Sequence, residues 1–438
     1  MNKKNSNLLN NFIKMIVLLV IGVAAGYALL CAVYLLPCDI MQKNLKKSEV
    51  IFTAEEDYRR VIPGYISTQL DTYTDAWMLG ISVYEEDAPL LTRVLSCNRE
   101  QSGSGPKESI VSYLDRINHD GTYEAGTDRE VVGYPRYWHG YLVVLKPLLM
   151  IFSYADIRVF NMFAQTFIVM LICAELLKRN HKREIFAYIM SILFIMPIVI
   201  PLSIQFSVIF YVANIAMYIL LRKYETFDSR GMLFLFFELT GMCTSYFDFL
   251  TYPIATLGMP LCVLIMIEQD KGENVFNIIK RIIQNSISWG FGYAAMWASK
   301  WVLASIVLHE NIIMNAVSQI TMRTGTVAEN EKISLIETVL RNAEFYFNPP
   351  HILIVIASVA LLIVILIKTR TKLSEFIKSS VPWLMVACYP FAWYILARQH
   401  SYEHHWFTFR GLMVTVFACL NILVCAMKRH SDVAKMEV

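Results

Sequence analysis

MIVLLVIGVAAGYALLCAVYLL, residues 15–36, is an apolar run that ends at Pro37, a residue that stops helices. The run is about as long as a helix must be to cross the hydrocarbon core of a bilayer, roughly 20 residues. Lys3, Lys4 and Lys14 precede it, and no small-residue cleavage site follows it. We therefore expect a retained transmembrane helix whose amino terminus lies in the cytoplasm.

The composition of the whole chain agrees with a membrane protein. Of 438 residues, 56% are hydrophobic and 17% are charged, whereas soluble domains carry about 25% charged residues. We predict one all-α integral membrane domain, residues 1–438, with about ten transmembrane helices. The later spans are predicted at residues 157–177, 185–201, 204–221, 232–246, 252–267, 282–308, 352–367, 381–396 and 412–427. A formal charge of +3 and the lack of a Lys/Arg-rich tract argue against a nucleic-acid partner.

Basic residues occupy alternate loops of this arrangement, as at residues 178–183 and 368–378. Because cytoplasmic loops are enriched in lysine and arginine, both termini are predicted to lie inside. Two long segments are then extracytoplasmic, a first outer loop at residues 38–138 and a second at 309–351. Residues 107–118 of the first loop predict an amphipathic helix that could lie on the membrane surface. The expected location is the plasma membrane, with multiple spans and an active site on the outer face.

Local patterns indicate that both outer loops are structured. Thr53-x-x-Glu56 and Ser334-x-x-Glu337 are capping-box patterns, and each predicts the start of a helix. Residues 99–106, which include two glycines, predict a flexible turn.

Cysteine usage gives little information about function. Most of the nine cysteines lie inside apolar runs, where a small buried side chain is expected. Cys38 and Cys97 flank the first outer loop and could pair in an oxidising compartment. The chain contains neither a CxxC nor an HExxH motif.

Side chains able to do chemistry gather at the predicted outer ends of the spans. QLDTYTDAWML, residues 69–79, holds Asp71 and Asp75 one helical turn apart, and either carboxylate could take a proton from a hydroxyl group. Either could instead cap a helix that begins near Thr74. Further residues could bind a phosphate group or a sugar. They are Arg136, His139, Asp248, Lys300, Arg398, His400, His404 and Arg410.

Several of these residues have structural alternatives. Asp248 lies between two phenylalanines, and because an unpaired carboxylate near lipid is costly, it could be the ion-pair partner of Lys300 or Arg410. His404 and the histidine after it cannot share one metal ion on a regular helix, so a solvated loop is the simpler interpretation and zinc the lesser one. No metal site is assigned, although a divalent cation such as Mg²⁺ or Mn²⁺ could assist.

The chain resembles the GT-C class of membrane glycosyltransferases. The resemblance rests on the aspartates of the first outer loop, on YPRYWHGY at residues 134–141, and on IRVFN at residues 157–161, whose span ends in a basic cluster. It implies transfer of a sugar from a polyprenyl-phosphate carrier to an extracytoplasmic glycan, lipid or protein acceptor by inverting displacement. An acidic residue of the first outer loop is the general base in that class, which implies Asp71 first and Asp75 second. Gly140 stands where the class often has proline.

The resemblance also implies a lipid tail between the spans and a phosphate group held by Lys300, Arg398 or Arg410. Two other functions stay open. A transporter or flippase of a lipid-linked glycan predicts polar residues at the middle of the bilayer. A glycan ligase or polymerase of the O-antigen type also uses outer arginines and histidines, which the segment from Arg398 to Arg410 could supply.

Overall fold

The computed structural model describes residues 3–102, 105–118, 129–328, 331–368 and 373–436. Within those ranges the protein is built from α-helices, with two small antiparallel strand pairs and three short 3-10 turns. The first part of the chain contains a long helix, five shorter helices and one strand pair. These elements are α1 Lys3–Tyr34, α2 Cys38–Lys46, α3 Glu49–Ala54, α4 Thr72–Val83, α5 Leu90–Ser96, β1 Arg99–Ser102, α6 Pro106–Asn118 and β2 Arg129–Val132.

Longer helices make up the middle and the end of the chain. The middle contains α7 Leu142–Leu149, α8 Tyr154–Lys178, α9 Lys182–Phe194, α10 Ile204–Ser229, α11 Leu233–Phe247, α12 Ala255–Asp270 and α13 Val275–Leu308. The end contains α14 Ile312–Arg323, β3 Val327–Ala328, β4 Glu331–Lys332, α15 Leu335–Glu344, α16 Pro349–Lys368, α17 Leu373–Ala387, α18 Tyr389–Leu396, α19 Arg398–Glu403, α20 His405–Thr408 and α21 Met413–Met436.

Seven helical segments in the described part of the chain are long and apolar enough to cross a membrane. They are Leu9–Tyr34, Tyr154–Lys178, Ile204–Ser229, Val275–Leu308, Pro349–Ile367, Ser374–Leu396 and His405–Lys428. The segments in α1 and α16 expose most of their side chains at the molecular surface, which is where lipid would contact them. The structure is therefore consistent with the predicted all-α membrane protein.

Three of the predicted spans are shorter helices. Helices α9, α11 and α12 have 13, 15 and 16 residues, fewer than the roughly 20 that a crossing normally takes. Helix α12 is buried along nearly its whole length and packs against α10 and α21. An apolar run has the same composition in a protein core as in lipid, so periodicity could not separate the two environments. The number of ten spans stays a prediction.

The capping predictions have opposite outcomes. Ser334 caps α15, because its Oγ accepts a hydrogen bond from Glu337 N at 3.0 Å, and this prediction is confirmed. Thr53 was expected to start a helix, but it lies at the end of α3 and its Oγ1 donates to Glu49 O at 3.3 Å. A threonine hydroxyl can bond back to a carbonyl one turn earlier as easily as it can cap a helix. Arg99–Ser102 forms β1, so the flexible turn predicted for residues 99–106 is wrong over its first four residues, and residues 103–104 lie outside the described ranges.

The first outer loop is folded onto the helix bundle. Arg158 at the start of α8 donates to both carboxylate oxygens of Glu55, at 2.8 and 3.0 Å. These two hydrogen bonds hold the loop against a candidate span. The predicted amphipathic helix is confirmed as α6, but its apolar residues Ile110 and Leu114 are buried in a core shared with α4. That apolar face is therefore used for packing within the protein rather than on a membrane surface.

Candidate functional site

A cavity of about 550 Å³ lies where the first outer loop meets the segment that contains α19 and α20. Its wall combines aromatic rings with arginine and histidine side chains. The aromatic members are Tyr58, Tyr73, Trp77, Tyr134, Phe249, Trp406 and Phe407, and the basic members are Arg99, Arg136, Arg323, His400 and His404. We call this space the arginine cavity. Of the residues proposed from the sequence, Arg136, His400 and His404 are in its wall.

Arg99 is the most buried of the three arginines. Its side chain is only 5% exposed, and burial lowers its pKa from the ordinary value. The guanidinium carbon lies 4.1 Å from the centre of the Trp77 ring, and Nη2 donates to Gln101 Oε1 at 3.1 Å. The pairing of β1 with β2 fixes this arginine against the ring, which is the contact that a guanidinium and an indole prefer.

Arg136 and Arg323 come from distant parts of the chain and meet at the same wall. Arg136 Nη1 donates to Asn315 Oδ1 at 2.8 Å, and its guanidinium lies 4.9 Å from the centre of the Tyr134 ring. Arg323 Nη1 lies 3.3 Å from His400 Nδ1. Helix α14 therefore supplies both the residue that holds Arg136 and the third arginine.

The three arginines share one electrostatic property. Among the residues that the structure describes, neither Arg99, Arg136 nor Arg323 forms an ion pair, and no aspartate or glutamate is in the cavity wall. Arginines elsewhere do have carboxylate partners, as Arg158 has Glu55. A cavity with three unneutralised guanidinium groups attracts anions, above all phosphate groups, whose oxygens match the geometry of arginine.

Asp71 lies directly behind this wall. It caps α4, because Oδ1 accepts from Thr74 N at 2.9 Å, so the capping alternative is confirmed. Oδ2 accepts from the indole Nε1 of Trp406 at 3.2 Å, and both Thr74 and Trp406 face the cavity. Burial raises the pKa of Asp71 to about 6, so its carboxylate is a stronger base than an exposed aspartate and is still mostly ionised at neutral pH.

Asp75 is in the first turn of α4, and its side chain contacts the start of α10. Oδ1 accepts from Ser203 Oγ at 3.0 Å and from Gln205 N at 3.1 Å. Oδ2 accepts from Ile204 N at 2.8 Å and from Tyr154 Oη at 2.5 Å. These four donors occupy both carboxylate oxygens and satisfy free N–H groups of the helix, as a capping residue does. The side chain is fully buried and has no oxygen left for a substrate hydroxyl.

The two histidines of the cavity wall are neutral. Burial, together with the charge of Arg323, lowers the pKa of His404 to about 4. The pKa of His400 is also lowered by burial, and its Nε2 lies 2.7 Å from Leu250 O. The segment expected to be a solvated loop is partly buried: His404 lies between α19 and α20, the histidine after it begins α20, and both are half-buried. His404 stacks on the Phe407 ring, and His400 is 1% exposed.

Asp248 and Lys300 are not in the cavity wall and do not pair with each other. Asp248 Oδ2 accepts from Thr251 N at 2.9 Å in the turn between α11 and α12, and burial raises its pKa to about 7. Lys300 Nζ donates to Leu95 O at 3.0 Å and to Val94 O at 3.4 Å, at the end of α5. The expected ion pair is wrong, because backbone and hydroxyl groups nearby already satisfy both side chains.

Arg398 and Arg410 do not reach the cavity either. Arg410 is fully buried behind Trp406, whose carbonyl accepts from Arg410 Nη1 at 2.8 Å, and its guanidinium lies 3.8 Å from the centre of the Phe206 ring. The expected pairing of Arg410 with an aspartate is absent from the described part of the chain. Arg398 is half-buried at the start of α19 and is not among the wall residues.

His139 is part of the wall's support. Its Nε2 lies 2.8 Å from Tyr134 O, and burial lowers its pKa to about 3, so the ring is neutral. The next residue is Gly140, at the position where the GT-C class often has proline. Gly140 N donates to Tyr246 O at 2.8 Å, and a Cβ at Gly140 would lie 2.2 Å from the Tyr246 ring. Only glycine fits this close approach of the loop to α11.

Sequence reasoning missed Arg99 and Arg323. Arg99 was placed in a flexible turn, and Arg323 looks like an ordinary basic residue in the last turn of a helix. The usable signal for Arg323 is negative: no acidic residue lies three or four positions away on its helix. Arg99 is in a strand, where that spacing does not apply.

Metal and family comparisons add no assignment. No group of three or more His, Cys, Asp or Glu side chains able to hold a metal ion occurs within the described ranges. Comparison with protein-family models, curated proteins and solved structures gives no match for this chain. The fold and the cavity define the class: a helical protein with candidate membrane spans and a polar, arginine-rich cavity beside them.

Proposed function

We propose that this protein is a membrane glycosyltransferase that moves a sugar from a polyprenyl-phosphate carrier to a glycan, lipid or protein acceptor. The observation that carries the proposal is the arginine cavity, in which unneutralised guanidinium groups and aromatic rings share one space. Arginine is suited to the phosphate group of the carrier. Aromatic faces are suited to the apolar faces of sugar rings.

An apolar groove beside the cavity supports a lipid carrier. The groove holds about 430 Å³ between α7, α8 and α10 and is lined mostly by aliphatic and aromatic side chains, such as Val144 and Phe160. Ile204 lines the groove and the next residue, Gln205, lines the arginine cavity. A lipid whose tail lies in the groove could therefore place its phosphate group among the arginines.

The site is proposed to face the outside of the cell. In this topology the chain crosses the plasma membrane about ten times and both termini are cytoplasmic. The basic clusters at residues 178–183 and 222–223 support it, because such clusters favour the cytoplasmic side. The arginine cavity lies at the opposite end of α10, beside Gln205.

Asp71 is proposed as the general base. The acceptor hydroxyl takes the place of the Trp406 indole on Asp71 Oδ2, gives its proton to that oxygen and attacks the anomeric carbon from the face opposite the phosphate. The arginines stabilise the negative charge that develops on the departing phosphate. The two occupied oxygens of Asp75 make it a support for α10 in this mechanism.

Sugar transfer by membranes that contain Asp71→Asn tests the proposal. Asparagine is as good a capping residue as aspartate, so α4 keeps its first turn, but a neutral amide cannot accept a proton. We expect transfer of radiolabelled sugar from polyprenyl-linked donors by the wild type and a loss of at least about 100-fold in the variant, within the usual range for a general base. The assay runs at matched expression.

The control for that assay is Arg59→Gln in the same outer loop. The Arg59 side chain is 54% exposed, and its neighbour Glu55 keeps its partner Arg158 when Arg59 is replaced. Full activity of Asp71→Asn would remove Asp71 from the mechanism. Absence of transfer by the wild type from every polyprenyl-linked donor would remove the transferase assignment.

One observation favours a transporter of a lipid-linked glycan as a second function. Glu238 in α11 is fully buried, and neither carboxylate oxygen has a hydrogen-bond partner among the described residues. Ionisable residues within apolar helices often mark a transport path. A transporter would move the intact lipid-linked glycan across the membrane and would release no labelled sugar to an acceptor.

A further inference from the structure

The number of positive charges in the arginine cavity is informative about the lipid that it binds. Arg99, Arg136 and Arg323 each carry a full charge, and His400 and His404 are neutral. No carboxylate is in the described wall to reduce the total. Asp71, an acid close to this wall, is behind Trp406 and Thr74. The ligand itself must then supply most of the neutralising charge.

Two of the three guanidinium groups lie against a pair of neighbouring rings. Arg99 lies 4.1 Å from the centre of Trp77, and Arg136 lies 4.9 Å from the centre of Tyr134. The two ring centres are 5.8 Å apart, and Arg323, whose Nη1 lies 3.3 Å from His400 Nδ1, lines the same cavity. The contacts to Gln101 and Asn315 hold two of the arginines in place without neutralising them.

Other arginines of the described chain differ in how their charge is balanced. Near the other end of α10, Arg281 Nη1 lies 2.6 Å from Asp228 and 2.7 Å from Glu268. At the start of α8, Arg158 donates two hydrogen bonds to Glu55 of the first outer loop. A partly buried arginine is normally paired because an isolated charge is costly to remove from water. Arg410 also lacks an ion pair, but its guanidinium packs on the Phe206 ring and donates to a backbone carbonyl outside the cavity, whereas the three wall arginines share one cavity that is suited to an anion.

We propose that the group bound in the arginine cavity is a lipid diphosphate rather than a lipid monophosphate. The proposal rests on the glycosyltransferase function and specifies its donor. A sugar-linked lipid monophosphate brings about one negative charge, whereas a sugar-linked lipid diphosphate brings about two. The diphosphate also extends over two phosphorus centres, so separate phosphate groups can contact Arg99 on one side and Arg323 on the other.

The charge of the three arginines also bears on the reaction step, because the diphosphate gains negative charge as it is released. The acceptor oxygen bonds to the anomeric carbon as the bond from that carbon to the phosphate oxygen breaks. The acceptor proton passes to Asp71, and the bonding electron pair stays on the released diphosphate, which gains a negative charge. The three arginines then nearly neutralise the leaving group, so they stabilise the product side of the step more than the bound donor.

The test measures binding of short lipid probes to the purified full-length protein in detergent, with EDTA present to exclude metal ions. The probes are farnesyl diphosphate, farnesyl phosphate and farnesol, which share one tail. We expect farnesyl diphosphate to bind at least about tenfold more tightly than farnesyl phosphate, and farnesol to bind most weakly. Raising the salt concentration should reduce the difference between the probes.

Variants connect the preference to the cavity. Arg99→Gln and Arg323→Gln should each weaken farnesyl diphosphate binding by about tenfold, while Arg323→Lys should keep part of the affinity. Farnesol binding reports whether each variant is folded, because the apolar groove is unchanged. Arg59→Gln removes an exposed arginine and should leave all three affinities as they are.

Each result decides one of the two proposals. Equal affinity for farnesyl phosphate and farnesyl diphosphate, or for farnesol and either of them, overturns the diphosphate proposal. Sugar transfer from monophosphate donors together with equal affinities leaves the glycosyltransferase standing without it. Selective binding of farnesyl diphosphate without transfer from any donor supports the diphosphate site and overturns the glycosyltransferase.

Discussion

At the scale of single residues, Asp71 and Asp75 differ in the donors that surround them. Asp75 accepts four hydrogen bonds, two of them from Ile204 N and Gln205 N at the start of α10. In Asp75→Asn one carboxylate oxygen becomes an NH₂ group that faces two donors, so two bonds are lost in a buried position. We expect a loss of roughly 2–4 kcal/mol in unfolding free energy. Thermal unfolding of the purified protein measures it.

Asp71→Asn is the matched comparison for that prediction. Its oxygen can still accept from Thr74 N, and only the bond from Trp406 is lost. The stability of Asp71→Asn should therefore lie closer to the wild type than that of Asp75→Asn does. If Asp71→Asn were the less stable of the two, the four bonds of Asp75 would not be the stronger support of the fold.

At the scale of elements, the contact of α11 with α13 depends on two glycines. A Cβ at Gly241 would lie 2.1 Å from Trp289 O, and one at Gly292 would lie 2.2 Å from Glu238 O. Both contacts are with the backbone, which cannot move aside as a flexible side chain can. We expect Gly241→Ala and Gly292→Ala to lower stability by about 1–3 kcal/mol or more, as overpacking does. Thermal unfolding and the folded yield measure the loss.

Gly290 supplies the control on the same helix. A Cβ at Gly290 meets no atom within 4 Å, so Gly290→Ala should keep or slightly raise stability, because alanine is the better helix former. If Gly290→Ala were as harmful as Gly292→Ala, the losses would not arise from the close contact with α11. Equal stability of Gly292→Ala and the wild type would contradict the close contact.

The helices also show which structural features could be predicted from the sequence alone. The apolar run at residues 15–36 predicted a long helix, and Ser334 predicted the start of α15, because each depends on neighbours in sequence. Helix α12 was predicted as a span because a run that is apolar on all sides is the same in lipid and in a protein core.

The candidate site was the harder part to predict. Its arginines stand at positions 99, 136 and 323, and which ring each one covers depends on tertiary packing. Asp71 was singled out from local pattern alone, but its place behind Trp406 depends on a residue more than 300 positions later. Whether these arginines have ion-pair partners depends on the positions of carboxylates in the folded structure, which the sequence does not show.

At the scale of the whole molecule, the arginine cavity and the basic clusters lie at opposite ends of the bundle. Helix α10 starts beside the cavity and runs from Ile204 to Ser229, a length of about 39 Å at 1.5 Å per residue. Lys223 is near the far end of that helix and is exposed. This length exceeds the roughly 30 Å of a hydrocarbon core, so the two ends could contact opposite sides of a membrane.

Labelling of single introduced cysteines tests which side each end faces. Lys43 is exposed on α2, whose neighbour α4 contributes to the cavity wall. We expect Lys43→Cys to react with a membrane-impermeant maleimide in intact cells and Lys223→Cys to react only after the cells are permeabilised. The parent protein gives the background from its own nine cysteines. The reverse pattern would place the arginine cavity in the cytoplasm, and labelling of both positions in intact cells would rule out that α10 crosses the membrane.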